Sequence, residues 1–295
     1  MYEQSKIIIK ENIDQEKSTS TQDYRKHRIM GILFNTIGNL FPAFGTKVAR
    51  KLLFTPRKRK IREEFEYLDK QSTIMNIPFK DGFLKVREWG SGSTILLVHG
   101  WNANWSHFGK LIPVLLNQGY RVVAYDAPAH GESSGKETNI VEMSNALLAI
   151  KNEIGEIYAV VGHSLGGATT ALALKRGLNV PKVVLSAPPM SIKQVIDIYS
   201  SMLYLPNKIK QRLYSETEKR IEHTLDEVSA YSFAHNMQIP LLLFHDVNDE
   251  YVPYESSQHL AKIWKGTKFV STQGLGHRRL LWNSDVHQQI MGFLK

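Results

Sequence analysis

Three residues far apart in the chain have the types and the order for nucleophilic catalysis. Ser164 is the centre of Gly162-His163-Ser164-Leu165-Gly166, Asp249 follows an apolar run after residue 239, and His277 follows Gly276. A serine hydroxyl is a poor nucleophile at neutral pH because its proton is tightly held. It needs a positioned base, usually histidine, and that histidine needs a carboxylate to fix its tautomer and stabilise its cation. An aspartate at position 164 would point to dehalogenase or epoxide-hydrolase chemistry, whereas serine points to acyl transfer to water. No H-E-x-x-H spacing and no phosphate loop occur, so neither a metal nor a cofactor is expected. The chain has no cysteine, which excludes a disulfide, a thiolate nucleophile and Cys-ligated zinc.

The elements around these residues supply the positions such chemistry needs. Residues 157–161 (Ile-Tyr-Ala-Val-Val) read as a buried strand and Ala168–Leu174 as a helix, so Ser164 tops a strand–turn–helix elbow. Gly162 and Gly166 let strand and helix approach, and the turn predicts a strained serine backbone. Further strands are read at 83–89, 94–98, 121–126, 183–188, 239–245 and 268–271, alternating with helices near 105–118, 138–154, 256–264 and from 285. That alternation predicts an α/β chain with a doubly wound, mostly parallel sheet, whose sites lie at the carboxyl ends of the strands. His99, Asp126, Ser164 and Ser186 all fall at such ends.

Two segments stand outside this alternation. Between about 190 and 237 the pattern turns helical, with six Lys/Arg against six Asp/Glu. It is too long for an ordinary connection and is expected to be a lid, with most of its apolar side chains simply packing it onto the core. The N-terminal 75 residues begin with a polar stretch, 1–24, read as a flexible tail. Residues 25–62 then hold eleven Lys/Arg and no Asp or Glu, more than the whole chain's +9, so the remainder is slightly acidic. Within them Ile29–Thr46 carries no charge. It starts too late and lacks the cleavage site of a signal peptide. Its Asn, Pro and Gly residues argue against a membrane-spanning helix. Two readings stay open: a helix lying in the interface of an anionic membrane, with Ile29, Leu33, Ile37, Leu40 and Phe44 at helical spacing, or a helix pair packed on the core with its cations solvated. The basic run lacks any nucleic-acid recognition motif, so no specific nucleic-acid partner is expected.

The motifs together resemble the α/β-hydrolase superfamily over residues 76–295. Beside the elbow, the resemblance rests on His99-Gly100-Trp101, on Asp126-Ala127-Pro128-Ala129-His130-Gly131-Glu132-Ser133, on Asp249-Glu250-Tyr251-Val252-Pro253, and on Gly276-His277. The basic extension and Gly274–Arg279 are similar to a bacterial subgroup of hydrolases without a named substrate. The resemblance implies the α/β-hydrolase fold, with Ser164 as nucleophile, His277 as base and then acid, and Asp249 as the orienting carboxylate. It implies an oxyanion hole from the backbone N–H groups of Trp101 and Leu165. Asp246 competes for the acid role, and the D-x-x-V-P spacing favours Asp249. His163, His99, His130 and His245 are read as structural, with Gly100 supporting the elbow. Arg278 and Arg279 are read as scaffold rather than substrate-binding.

The expectation is therefore a hydrolase core at 76–189 and 238–295, a helical lid at 190–237 and a basic N-terminal extension at 1–75. The expected activity is cleavage of a carboxylic ester of a small, partly apolar acyl substrate. The same residues would also suit amides, thioesters or C–C bonds, and a binding protein on the same scaffold is the non-enzymatic alternative. The cysteine-free composition fits the cytoplasm, with the basic segment able to hold the protein at the inner face of the membrane.

Overall fold

The computed structural model describes residues 8–10, 31–36 and 38–295. The remainder of the predicted tail, the cations at 25–28, and Ile29 and Ile37 of the uncharged stretch lie outside the described residues. Among the described residues nine strands form one sheet: β1 (Ile8–Lys10), β2 (Thr73–Phe79), β3 (Gly82–Trp89), β4 (Thr94–Val98), β5 (Arg121–Tyr125), β6 (Ala159–His163), β7 (Lys182–Ser186), β8 (Leu241–Asp246) and β9 (Thr267–Gln273). Their order across the sheet is β1-β9-β8-β7-β6-β4-β5-β3-β2. The β2–β3 and β3–β5 pairs are antiparallel and every other pair is parallel.

The parallel strands are short unbroken apolar runs because both faces of the sheet are covered. Along β4, Leu96 and Val98 point into one apolar core and Ile95 and Leu97 into the other, all fully buried. Helices α3 (Leu111–Asn117), α4 (Ile140–Ile154), α5 (Leu165–Lys175), α9 (Tyr254–Ile263) and α11 (Ser284–Leu294) make the layers, and a short turn of helix, α10 (Gly276–Arg279), follows β9. Between β7 and β8 run α6 (Ile192–Met202), α7 (Asn207–Ile221) and α8 (Ala230–Phe233). Ahead of the sheet stand α1 (Pro42–Phe54) and α2 (Glu66–Gln71), with helical backbone also at 31–36 and 38–40.

Four details depart from the sequence reading. Part of the segment expected to be a flexible tail is a strand, since residues 8–10 extend the sheet beside β9; the β-branched Ile8 and Ile9 suit that edge position. Residues 73–79, not assigned to any element, form β2, so the edge of the sheet begins before residue 76. The helix expected over 105–118 is two pieces, a 3-10 turn at Trp105–Phe108 and α3. Gly109 between them lies flat against the Phe65 ring, and Pro113 cannot donate to the Gly109 carbonyl, so the break falls where the ladder is already short of a bond. Finally, the single interfacial helix read from Ile29 to Phe44 is interrupted, though a helix pair is the other reading: the chain bends at Phe41, and α1 restarts at Pro42, a residue suited to a first helical turn.

Candidate active site

The strand order brings the predicted chemistry together. β6 lies between β4 and β7 with Val98 opposite Gly162, and β8 lies beside β9 with Asp246 opposite Thr272. The loops leaving β4, β6, β8 and β9 therefore emerge at one edge, carrying Gly100, Ser164, Asp249 and His277 respectively.

Ser164 has φ 53° and ψ −126°, a conformation costly for any residue with a side chain. Packing enforces it. The Ser164 N–H donates to the Ser186 carbonyl at 2.8 Å, fixing the turn to β7. A Cβ on Gly162 would lie 2.9 Å from Gly167 Cα, and one on Gly166 would lie 2.5 Å from the His99 carbonyl and closer still to that of Val98. Strand and helix meet only because both positions are glycine.

The Ser164 hydroxyl donates to His277 Nε2 at 2.9 Å, and His277 Nδ1–H donates to Asp249 Oδ2 at 2.7 Å. The other Asp249 oxygen accepts from the backbone N–H groups of Tyr251 (2.8 Å) and Val252 (2.9 Å). His245 Nε2–H is shared between the Val252 carbonyl at 2.9 Å and Asp249 Oδ2 at 3.2 Å. Burial by itself would push the Asp249 carboxyl up. The N–H groups of His245 and His277, the His277 charge and the Val252 amide outweigh it and hold the group well below the usual carboxylate range. It stays ionised beside the imidazole, as a partner that must offset a developing imidazolium has to.

Asp246 has a different task. Its buried carboxylate accepts from Asn248 N (2.9 Å) and Gly274 N (3.3 Å) on Oδ1, and from Thr272 Oγ1 (2.6 Å) and Leu275 N (2.9 Å) on Oδ2. It thus ties the loop bearing Asp249 to the loop bearing His277. Arg279 closes the second loop by donating to the Gly274 and Leu275 carbonyls, and Arg278 lies over the Tyr251 ring at 5.4 Å. Both arginines are engaged with the scaffold.

Beneath His277 the rings of His163 and His107 follow in tilted contact, with centroids 4.8 Å and 4.6 Å apart in turn. His163 Nε2–H donates to the His277 carbonyl at 2.8 Å. Burial lowers His163 to about 3 and His107 well below its ordinary value, so both stay neutral and put no like charge under the reacting imidazole.

The loop after β4 is braced from three sides. His99 Nδ1–H donates to the Gly100 carbonyl at 2.8 Å while its Nε2 accepts from Ala127 N at 2.9 Å. A trans peptide points its C=O and N–H in opposite directions. Gripping the Gly100 carbonyl therefore turns the Trp101 N–H the other way. Gly100 itself is pressed against the elbow, where a Cβ would lie 2.9 Å from Ser164 Cβ. The Leu165 N–H is the first amide of α5 and has no intrahelical acceptor. Asp126 accepts from Trp105 N (3.1 Å) and Glu132 N (2.9 Å), joining the loop after β5 to the same region, and His130 is buried there with its pKa lowered to about 3 by burial. Arg87 anchors Asp126 at 3.8 Å and also pairs with Asp69 and Glu132. On the outer side, part of the basic run is a strap. Arg57 N donates to Asn102 Oδ1 (2.7 Å), Arg59 Nε to the Asn102 carbonyl (2.8 Å), and Asn104 Nδ2 to the carbonyls of Arg59 and Lys60 (3.0 Å each).

Sequence reasoning missed this strap, the joining role of Asp246, and His107. Only the strap left a trace, as the dense cationic run itself; its partners Asn102 and Asn104 carry no motif. Among the described residues no group of three or more His, Asp or Glu is placed to hold a metal, and no helix is long and apolar enough to cross a membrane.

Comparison with known proteins agrees with this fold. Residues 93–220 match the family model described as the alpha/beta hydrolase fold. The chain is 23% identical over 259 residues to a non-heme haloperoxidase of Rhodococcus erythropolis, covering 71% of this chain and 94% of that one. It is 24% identical over 275 residues to a bifunctional esterase/perhydrolase of Acinetobacter calcoaceticus, covering 73% and 98%. An esterase from Exiguobacterium antarcticum superposes with a TM-score of 0.60 at 18% identity, covering 75% of this chain and 98% of its own, a likeness of fold. The protein has the α/β-hydrolase fold, and residues 93–220 resemble that family in sequence.

Proposed function

We propose that this protein is a serine hydrolase that cleaves carboxylic esters of small, partly apolar acyl substrates through an acyl-enzyme on Ser164. One observation carries the reading: the continuous series from the Ser164 hydroxyl through His277 to the buried Asp249, at 2.9 and 2.7 Å. The serine proton moves to His277 Nε2 as Oγ attacks the ester carbonyl carbon. The carbonyl oxygen becomes an oxyanion held by the N–H groups of Trp101 and Leu165, each such donor being worth about 3 kcal/mol in the transition state. Collapse breaks the C–O bond to the alcohol, which leaves with the proton from His277. Water then attacks the acyl-serine, giving its proton to His277, and the acid departs as Ser164 recovers its hydroxyl. Asp249 orients His277 and offsets its transient charge throughout. No cofactor takes part.

The esterase name among the relatives supports the ester class. The helices α6–α8 leave the sheet from β7, next to the elbow strand, and act in this reading as a lid over the acyl site. Amide, thioester and C–C substrates would follow the same steps, and a substrate panel ranks them. The test is turnover of p-nitrophenyl acetate and butyrate. The protein should hydrolyse both and Ser164→Ala neither; equal rates in the two proteins would end the proposal.

A further inference from the structure

The N-terminal helices present two unlike faces. Toward the helices between β7 and β8 they are made of small residues in close contact. A Cβ on Gly31 would lie 2.9 Å from Tyr204 Cβ, and Cβ atoms on Gly38 and Gly45 would lie 2.8 and 2.7 Å from Ile209 Cδ1. Asn35 donates to the Tyr204 carbonyl and Tyr199 to that of Ala49. This side is packed. The opposite side is apolar and open: Ile32, Leu33, Leu40, Phe41 and Phe44 are 59, 46, 75, 63 and 60% exposed. About half or more of each of these five stays in water, and clustered exposed apolar side chains mark a contact surface.

Beside this patch the α1–α7 seam opens into a cavity of about 450 Å³. Its lining includes Lys47, Arg50, Arg212, Lys219, Ser215 and Glu216. Lys219 is paired with Glu216 at 3.3 Å. Lys47, Arg50 and Arg212 have no ion-pair partner among the described residues. Phe44 and Lys47 are three residues apart on α1, so the apolar patch and the cationic cavity share one edge. Three free cations around a cavity of headgroup size, set against an apolar face, are complementary to one kind of surface: acyl chains capped by phosphate.

We propose that this face docks on an anionic lipid bilayer, with Ile32, Leu33, Leu40, Phe41 and Phe44 entering the interface and the α1–α7 cavity receiving a lipid phosphate. The site is separate from Ser164 and does not depend on the hydrolase reading. It also reconciles the two sequence readings of the uncharged stretch: one side packs on the protein and the other is turned to lipid.

The full chain should co-sediment with vesicles of phosphatidylglycerol and phosphatidylcholine at about 0.1 M salt, and much less with phosphatidylcholine alone, since salt still permits attraction within a Debye length of the surface. Phe41→Ser/Phe44→Ser should lower partitioning roughly tenfold per side chain. Lys47→Gln/Arg50→Gln/Arg212→Gln should lower it about fivefold per cation and remove the preference for anionic lipid. Thermal melts of each variant check folding independently of any enzymatic activity; a variant that fails to melt cooperatively is replaced by the single substitutions Phe41→Ser or Arg212→Gln. Wild-type protein that stays in the supernatant, or variants that bind like wild type, would overturn the proposal. So would glycerol phosphate binding at the cavity without vesicle binding, or a concentration-dependent dimer abolished by Phe41→Ser/Phe44→Ser without vesicle binding.

Discussion

Asp246→Asn separates the residue that joins the two acidic and basic loops from the residue that orients the base. The substitution keeps size and shape but turns one of two acceptor oxygens into an NH2. If the NH2 replaces Oδ1, it faces the N–H groups of Asn248 and Gly274 and orphans both. If it replaces Oδ2, the Thr272 hydroxyl can rotate and accept, leaving only Leu275 N–H without a partner. The second arrangement is the cheaper. A buried orphaned N–H costs about 1–3 kcal/mol, and each of the remaining bonds loses about 1 kcal/mol when its acceptor is no longer charged. The site is fully buried, so solvent does not repair the loss. The sum is roughly 4 kcal/mol, or on the order of 6 °C in melting temperature for a chain of this size.

The kinetic consequence follows from where the orphan lies. Leu275 is two residues before His277, so the loop carrying the base loosens. A misplacement of about 1 Å costs about a hundredfold in kcat. Asp249→Asn should behave the other way: the Tyr251 and Val252 amides still have an oxygen to bind, but His277 loses its tautomer, and kcat falls roughly ten-thousandfold with a small change in melting temperature. Thermal melts and p-nitrophenyl acetate kinetics on the two variants decide. An Asp246→Asn protein that melts like wild type yet loses as much kcat as Asp249→Asn would make Asp246 the orienting acid and refute the reasoning.

Two further outcomes are expected. His130 and His163 are buried and neutral with pKa values near 3, against 6.5 when exposed, so between those values these two rings alone give the unfolded chain two more protons than the folded one, and burial lowers His107, His99 and His287 in the same sense. Stability must therefore fall as pH falls in urea titrations, with these two rings contributing about 4 kcal/mol between pH 7 and pH 5; the raised carboxyl of Asp126 works in the opposite sense, and the depressed Asp249 contributes only at lower pH. A flat profile would contradict the buried neutral rings, and His130→Asn should remove about 2 kcal/mol of the fall. Gly166→Ala places a methyl group against the Val98 and His99 carbonyls, which are backbone and cannot swing away. It should destabilise by about 3 kcal/mol and abolish turnover, measured by melting and by ester hydrolysis, whereas an unchanged Tm would show that the elbow is less closely packed.

The site was more legible in the sequence than its supports. Ser164, Asp249 and His277 announce themselves because each follows an apolar strand run and sits among glycines or a proline whose backbone roles are local. The sheet was legible for the same reason: runs such as Thr94–Val98 and Leu241–Asp246 are buried on both faces. What was not legible depends on pairs distant in sequence. Asp246 contacts Thr272 and Leu275, Asn102 contacts Arg57, and no spacing along the chain encodes those meetings. The split at Gly109 was hidden because its cause is Phe65, from another segment. The exposed side of Ile32–Phe44 was ambiguous because periodicity shows that a helix has an apolar face without saying what covers it.

The central claim is that the Ser164 hydroxyl is the group acylated. A fluorophosphonate reacts only with a serine whose proton can be taken by a neighbouring base. Intact-mass and peptide mass spectrometry of the labelled protein should give one adduct, on the peptide containing Ser164, formed in step with the loss of esterase activity. Ser164→Ala should take up no label. Labelling at another residue, or full esterase activity in the unlabelled Ser164→Ala protein, would contradict the account.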